Sequence, residues 1–366
     1  MDTAIRQTYG KTTDTPDKPS INSPQCSPFY PNRNNHYANS SWEVSILKKI
    51  AIVTSGGDAP GMNATIRAIT RLANLRKIEV IGFERGWEGI LTNTHRTLTS
   101  RSVGGIIQSG GTILRTARCT EFMHPSGVKK AAQTLTDHKT EALIVIGGDG
   151  SFKGACDLSK QTDAKIIGIP ATIDNDVFGT DETVGFDTAV NTAQTEIDKI
   201  RDTALSHERT FVVEVMGRRR GFLASAVGLA VGAEIILVPE VKHQDSKIYA
   251  KLKENAAKGK KSSIIVAAEG IGDTRTLAEH ITKNTGMETR LTVLGYVQRG
   301  GSPTARSRIL ASLFADKAIE LLAQNKTNRI VTFQQGRIGS IELEQSCRTE
   351  KPLGTSLLEL AEKLAT

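Results

Sequence analysis

No stretch of the chain approaches the ~18 uninterrupted apolar residues that a membrane span needs, which excludes an integral helical membrane protein. Cysteine is scarce. Cys26, Cys119, Cys156 and Cys347 lie far apart, without metal-ligand spacing, and are too few over 366 residues for a disulfide scaffold. A reducing cytosol, and so a cytoplasmic protein, is the expectation. No basic run interleaved with aromatics occurs, so nucleic-acid binding has no support. A large surplus of one charge is missing too: 47 Lys and Arg face 39 Asp and Glu, a net +8. So mild an excess suits an enzyme that handles phosphates better than a DNA binder. The length suits about two α/β domains.

What is present is uneven. Residues 1–47 hold five of the eleven prolines, Pro16, Pro19, Pro24, Pro28 and Pro31, among many Ser, Thr and Asn. So polar a stretch buries too little to offset the entropy of ordering, and the sequence predicts a disordered leader. It lacks the apolar core of a secretory signal and carries too many acids for a transit peptide.

From Lys48 the pattern changes. Short apolar runs recur at Ile50–Thr54, Ile78–Phe83, Ala142–Ile146, Lys165–Ile169, Phe211–Met216, Glu234–Val238, Ser263–Ala268, Leu291–Leu294 and Ile330–Phe333. Val- and Ile-rich runs without alternation predict strands covered on both faces. Between them lie helical patterns, such as Ala189, Val190, Ala193, Ile197, Ile200 and Ala204 on one face. Strand–helix alternation predicts parallel sheets with helices on both sides.

Three loops at predicted strand ends carry chemistry. After the first strand comes Ser55-Gly56-Gly57-Asp58, then a helix with Arg67 and Arg71. Glycines there let backbone approach a phosphate, and the helix N-terminus adds partial positive charge; a tight strand–helix turn is the plain alternative. Neither a G-x-G-x-x-G fingerprint nor a P-loop follows. The second loop, Gly147-Gly148-Asp149-Gly150-Ser151, flanks a carboxylate with glycines, and Mg²⁺ favours one or two carboxylates plus phosphate oxygens. A turn capped by Asp149 is the alternative. The third, Pro170-Ala171-Thr172-Ile173-Asp174-Asn175-Asp176, sets two carboxylates beside a threonine. That suits a base with a metal or water partner, as phosphoryl transfer to an alcohol requires; turn chemistry alone is the rival.

Together with Met216-Gly217-Arg218 and Gln298-Arg299-Gly300-Gly301, these loops resemble the ATP-dependent 6-phosphofructokinases of the compact bacterial type. The resemblance runs from about Lys48 to about Leu322. It implies two Rossmann-like three-layer α/β domains facing a cleft: 48–185 plus 298–348 for ATP, and 186–297 plus 349–366 for fructose 6-phosphate. It implies Asp174 as general base, supported by Thr172 and Asp176. It further implies Gly57, Arg118, Cys119, Gly148, Gly150 and Ser151 at ATP, with Asp149 on Mg²⁺. Met216, Gly217, Arg218 and Glu269 would meet the sugar, and Arg218 also the moving phosphoryl group. Arg299 and Tyr296 would receive the 6-phosphate, joined by Arg209 and Arg290 from a neighbouring subunit.

The resemblance also implies a homotetramer with an effector pocket for ADP or phosphoenolpyruvate, drawn from Arg67, Arg71, Arg201, Lys258, Lys260 and Glu234, the last on the effector's Mg²⁺. One position departs: the arginine expected there is Ser100, with Arg101 displaced by one residue. Two rivals differ in activity. Pyrophosphate-using relatives carry Asp in place of Gly150 and Lys in place of Ala171, side chains expected to crowd the nucleotide's α-phosphate. A non-catalytic, nucleotide-sensing subunit would have lost the base, which Asp174 retains. Other Gly-Gly-Asp-Gly kinases, acting on dinucleotides or lipids, lack the sugar-phosphate motifs. The tail, with Cys347 and the amphipathic Leu357–Leu364, is expected to pack against the fold.

Overall fold

The computed structural model describes residues 47–365; the predicted leader lies almost wholly outside the described residues, and Cys26 with it. In chain order the elements are β1 (Lys49–Thr54), α1 (Met62–Leu75), β2 (Glu79–Phe83), α2 (Trp87–Leu91), β3 (His95–Leu98), α3 (Pro125–Asp137), β4 (Ala142–Gly147), α4 (Asp149–Leu158), β5 (Lys165–Thr172), β6 (Val184–Gly185), α5 (Phe186–His207) and β7 (Thr210–Val215). There follow α6 (Phe222–Ala230), β8 (Ile235–Leu237), α7 (Asp245–Ala257), β9 (Ser263–Ala268), α8 (Thr274–Thr285), β10 (Thr289–Val293), α9 (Ala305–Ala323), β11 (Arg329–Gln334), β12 (Arg337–Glu342), α10 (Leu343–Arg348) and α11 (Ser356–Leu364).

Two sheets result. The larger runs β12-β11-β5-β4-β1-β2-β3, with β6 on β5; the smaller runs β10-β7-β9-β8 and is parallel throughout. Successive residues of a strand face opposite sides, and the cores follow that period. Ile50, Ile52, Ile144 and Ile146 enter one core, while Ala51, Val53, Leu143 and Val145 enter another on the opposite face. The first core also takes Val213, Val215 and Val266 of the smaller sheet, together with α5 and α9 side chains. Val212, Ile265 and Ala267 turn outward onto a third core under α7 and α8. The α/β expectation holds, and each apolar run overlaps a strand; β10, at the edge of the smaller sheet, has none of its five residues buried and so is not covered on both faces.

The differences have physical causes. Strands β3 and β12 have no apolar run because each is an antiparallel edge strand with most side chains exposed or half-buried. The run ending at Ile169 continues as strand to Thr172 through Pro170: β11 pairs with β5 only at Ile167 and Gly168, and β6 joins at Ala171 and Thr172. The tail's amphipathic stretch is helical, but only part of its apolar face is covered. Ala361 is buried and Leu358 half-buried, whereas Leu357, Leu360 and Leu364 stay exposed.

In open parallel sheets ligands bind at strand C-termini where the winding order reverses. In the larger sheet that point is the β4–β1 boundary, and the first two glycine loops leave there.

Candidate active site

The loops after β1, β4 and β5 converge on a cleft of about 510 Å³ lined by Gly57, Arg118, Asp149, Thr172, Asp174 and Arg299, among others. Ser151 Oγ donates to the Ser55 carbonyl at 2.8 Å, tying the first two loops together. A side chain at Gly147 would collide with that carbonyl at 2.6 Å, so only glycine allows the approach. At Gly150, by contrast, an added Cβ meets nothing within 4 Å. Gly57 faces the Arg299 guanidinium, 3.3 Å from where its Cβ would stand. Trp87 and Phe122 stack at 4.2 Å beside Cys119 and Met123 and give this side an apolar wall.

Asp149 opens α4, with Oδ2 paired to Lys153 Nζ at 2.7 Å. Burial first, and the Asp149 charge second, raise Asp176 above the usual carboxylate range. The repulsion between these two acids is one that a divalent cation would relieve. No cluster of three or more His, Cys, Asp or Glu able to hold a metal occurs among the described residues. The carboxylates of Asp149 and Asp176 fit a hard cation that takes its remaining ligands from phosphate oxygens and water.

Asp174 is the most unusual group. It is 5% exposed; Oδ1 is buried without a hydrogen-bond partner, and Oδ2 lies 3.4 Å from Arg218 Nε. Burial, then Asp176, push its carboxyl up to about 6, against the pull of Arg218 and Arg299. The Asp174 amide donates to Thr172 Oγ1 at 3.2 Å, while the Thr172 carbonyl accepts from Thr183 Oγ1 at 2.6 Å. The turn passes through Asn175 in the left-handed region, φ 52°.

Arg218 arrives from the smaller sheet, on the loop after β7. Gly217 has φ 133°, and a Cβ there would strike the Arg220 carbonyl at 2.6 Å, so glycine is required for this bend. The Arg218 amide donates to Glu269 Oε1 at 2.6 Å, and the Met216 amide to Gln298 Oε1 at 3.3 Å. Met216, Gly217, Arg218 and Glu269 are thus brought together beside Asp174. Tyr296 stands at the rim, 78% exposed, with Arg299 5.5 Å from its ring centre.

The remaining expected residues lie elsewhere. Arg209 and Arg290 both pair with Glu288, where β7 and β10 begin. That is about 20 Å along β7 from Met216, at the end away from the cleft. Buried Glu234 joins Lys260 Nζ at 2.8 Å and accepts the Ile264 amide, while Arg201 Nη2 donates to the Val231 carbonyl at 2.6 Å. Lys258 pairs with Glu254. Arg67 and Arg71 sit on α1, a separate element, and have no ion-pair partner among the described residues. Ala171 is wholly buried in the core and does not line the cleft, so side-chain crowding of a nucleotide is an argument for Gly150 alone. Gln298 lies inside the Gln298-Arg299-Gly300-Gly301 motif without being marked by it, and Trp87, Arg220 and Lys351 belong to no motif the sequence shows.

The sequence model of the phosphofructokinase family matches residues 49–322. The chain is 49% identical over 315 residues to ATP-dependent 6-phosphofructokinase 1 of Clostridium perfringens, covering 86% of this chain and 98% of that one. To the ATP-dependent 6-phosphofructokinase of Clostridium tetani it is 50% identical over 319 residues, covering 87% and 100%. Phosphofructokinase from Saccharomyces cerevisiae superposes with a TM-score of 0.75 at 33% identity, covering 87% of this chain. This chain spans 47% of that yeast chain. A pyrophosphate-dependent phosphofructokinase from Marinobacter aquaeolei superposes at 0.74 with 22% identity, covering 85% and 86%, a likeness of fold alone. With a family model that matches most of its length and these relatives, the chain belongs to the phosphofructokinase family.

Proposed function

We propose that the protein transfers the γ-phosphoryl group of ATP to the C1 hydroxyl of D-fructose 6-phosphate, giving fructose 1,6-bisphosphate and ADP. The observation that carries the reading is the unpartnered, buried Oδ1 of Asp174, between the two glycine loops and Arg218. A carboxylate without a protein donor is free to accept a substrate proton.

In this mechanism the backbone around Gly57 and the N-terminus of α4 cradle the ATP phosphates, and the Trp87–Phe122 side of the cleft takes the base. Arg118 and Cys119 complete the nucleotide wall. Met216, Gly217 and Glu269 orient the sugar so that its C1 hydroxyl meets Asp174. As the Asp174 carboxylate takes the hydroxyl proton, the sugar oxygen bonds to the γ-phosphorus and the bond to the β-phosphate oxygen breaks. Arg218 offsets charge on the moving phosphoryl group. Mg²⁺, held by Asp149 together with the nucleotide, would neutralise phosphate charge. Open space at Gly150 supports a nucleotide donor over pyrophosphate.

The division into 48–185 plus 298–348 and 186–297 plus 349–366 is part of this proposal. Membership of the two sheets supports it, as does the packing of α11 on α6. So is a cytoplasmic homotetramer, in which Arg209 and Arg290 complete a neighbour's 6-phosphate pocket with Tyr296 and Arg299. An effector pocket for ADP or phosphoenolpyruvate would use Arg67, Arg71, Arg201, Glu234, Lys258 and Lys260. Among the described residues no helix is long and apolar enough to cross a membrane. The test is a coupled assay for fructose 1,6-bisphosphate with the purified chain alone, ATP and fructose 6-phosphate. Absence of product would return the non-catalytic subunit.

A further inference from the structure

Beyond α10 the chain lies against both catalytic loops. Lys351 Nζ donates to the carbonyl of Asn175 at 2.8 Å and of Asp181 at 3.3 Å, and lies 4.8 Å from the centre of the Phe222 ring at the start of α6. Asn175 Nδ2 donates to the same Asp181 carbonyl at 3.0 Å, so the lysine closes the loop on itself. Ser346 of α10 adds a second tie, donating to the Phe178 carbonyl at 3.1 Å. From the other side, Arg220 Nη2 donates to the Lys351 carbonyl at 3.1 Å and pairs with Glu350 at 3.2 Å. Arg220 is two residues beyond Arg218, and Asn175 directly follows Asp174.

We propose that Lys351 is a positioning residue for phosphoryl transfer, pinning the Asp174-Asn175-Asp176 turn and, through the segment Arg220 grips, setting Asp174 against Arg218. The proposal rests on the reading of Asp174 as the base. Asn175 sits at φ 52°, in the left-handed region that asparagine tolerates better than other side chains, so the turn is locally acceptable and its placement depends on what holds its carbonyl. A charge-assisted donor on its own carbonyl is such a hold. The ammonium also faces a turn that carries the buried Asp174 and the half-buried Asp176. Burial lowers Lys351 to about 8, and Asp181, Asp176 and Glu182 act in the opposite sense by favouring its charged form. Phe222 of α6 adds no titratable group at this contact, and the outer side meets Glu350 and Arg220. No substrate contact is needed for this role.

The experiment compares wild type, Lys351→Met and Lys351→Arg in the full chain by steady-state kinetics and thermal melting. Misplacing a base by a fraction of an ångström lowers turnover steeply, so Lys351→Met is expected to lose about 10–100-fold in kcat. Its KM for ATP should stay within about twofold, because the nucleotide loops are untouched. Lys351→Arg, a cation with several donors, should recover most of kcat. If the methionine variant does not fold, Lys351→Gln, which keeps an N–H donor but no charge, carries the same comparison. A well-folded Lys351→Met with wild-type kcat would overturn the proposal. So would a kcat loss in Lys351→Met that Lys351→Arg does not repair. Absence of any product from the wild type would instead overturn the phosphotransferase reading, and this proposal with it.

Discussion

The cleft around Asp174 and the cationic groups outside it differ in how their charges are satisfied. At the cleft, loops from both sheets of one chain converge, and a buried acid pairs with Arg218 through one oxygen while the other keeps no hydrogen-bond partner. At the start of β7 and β10, Arg209 and Arg290 crowd onto a single glutamate, and on α1 two arginines have no ion-pair partner among the described residues. The first region has the groups for chemistry within a single chain. The second has cations in excess of local acids, as expected where anions or a second copy complete the charge balance. One chain should therefore hold the base and nucleotide loops, while sugar-phosphate affinity and effector response should depend on assembly.

The largest effect should come from removing the base. Asp174→Asn keeps the shape but accepts no proton, and kcat should fall by roughly 10²–10⁴ with sugar binding retained. Turnover that survives would move the base elsewhere, with Asp176 the first suspect. The same change should stabilise the fold. Because the native carboxyl is raised from 3.8 to about 6, its ionisation opposes folding above that pH, on the order of 3 kcal/mol at pH 7. The melting gain of Asp174→Asn should thus be full near pH 7 and vanish as pH falls below 3.8. A gain independent of pH would contradict the buried-charge account.

Next in size is Gly150→Asp. The new side chain has room and suits the first turn of α4, so the fold should persist. A carboxylate facing the phosphates should lower kcat/KM for ATP by about 10–100-fold. Unaltered ATP use would show that the nucleotide lies elsewhere.

Outside the cleft, Arg67→Ala with Arg71→Ala should abolish the response to ADP or phosphoenolpyruvate while kcat at saturating fructose 6-phosphate hardly moves. Each lost charge-assisted contact is worth roughly 10–100-fold in effector affinity. Persistence of the response in the double variant would place regulation on another surface. With Ser100 where an arginine is expected, the wild-type response itself should be weak.

The smallest effect is expected at Tyr296, exposed beside Arg299. Tyr296→His should tighten apparent fructose 6-phosphate affinity chiefly at low pH, where an imidazole is charged. An equal gain at high and low pH would defeat the charge argument.

The two regions also differed in how far the sequence revealed them. The Asp149 and Asp174 loops were legible because glycines, carboxylates and a preceding apolar strand lie within a few residues of one another. Lys351 was not, because its contact with Asn175 spans 176 residues and the surrounding tail has no distinctive pattern. Strands β3 and β12 are not legible in the sequence because edge strands bury little and so carry no apolar run. The resemblance implies Arg299 as a 6-phosphate ligand, and its guanidinium also stands beside Gly57, a proximity that no motif encodes.

The central claim is that this cleft uses ATP to phosphorylate fructose 6-phosphate, and the most direct test is an initial-rate comparison of ATP and pyrophosphate at saturating sugar phosphate. The account predicts fructose 1,6-bisphosphate from ATP, with little or none from pyrophosphate. Faster turnover with pyrophosphate, or no product with either donor, would contradict it.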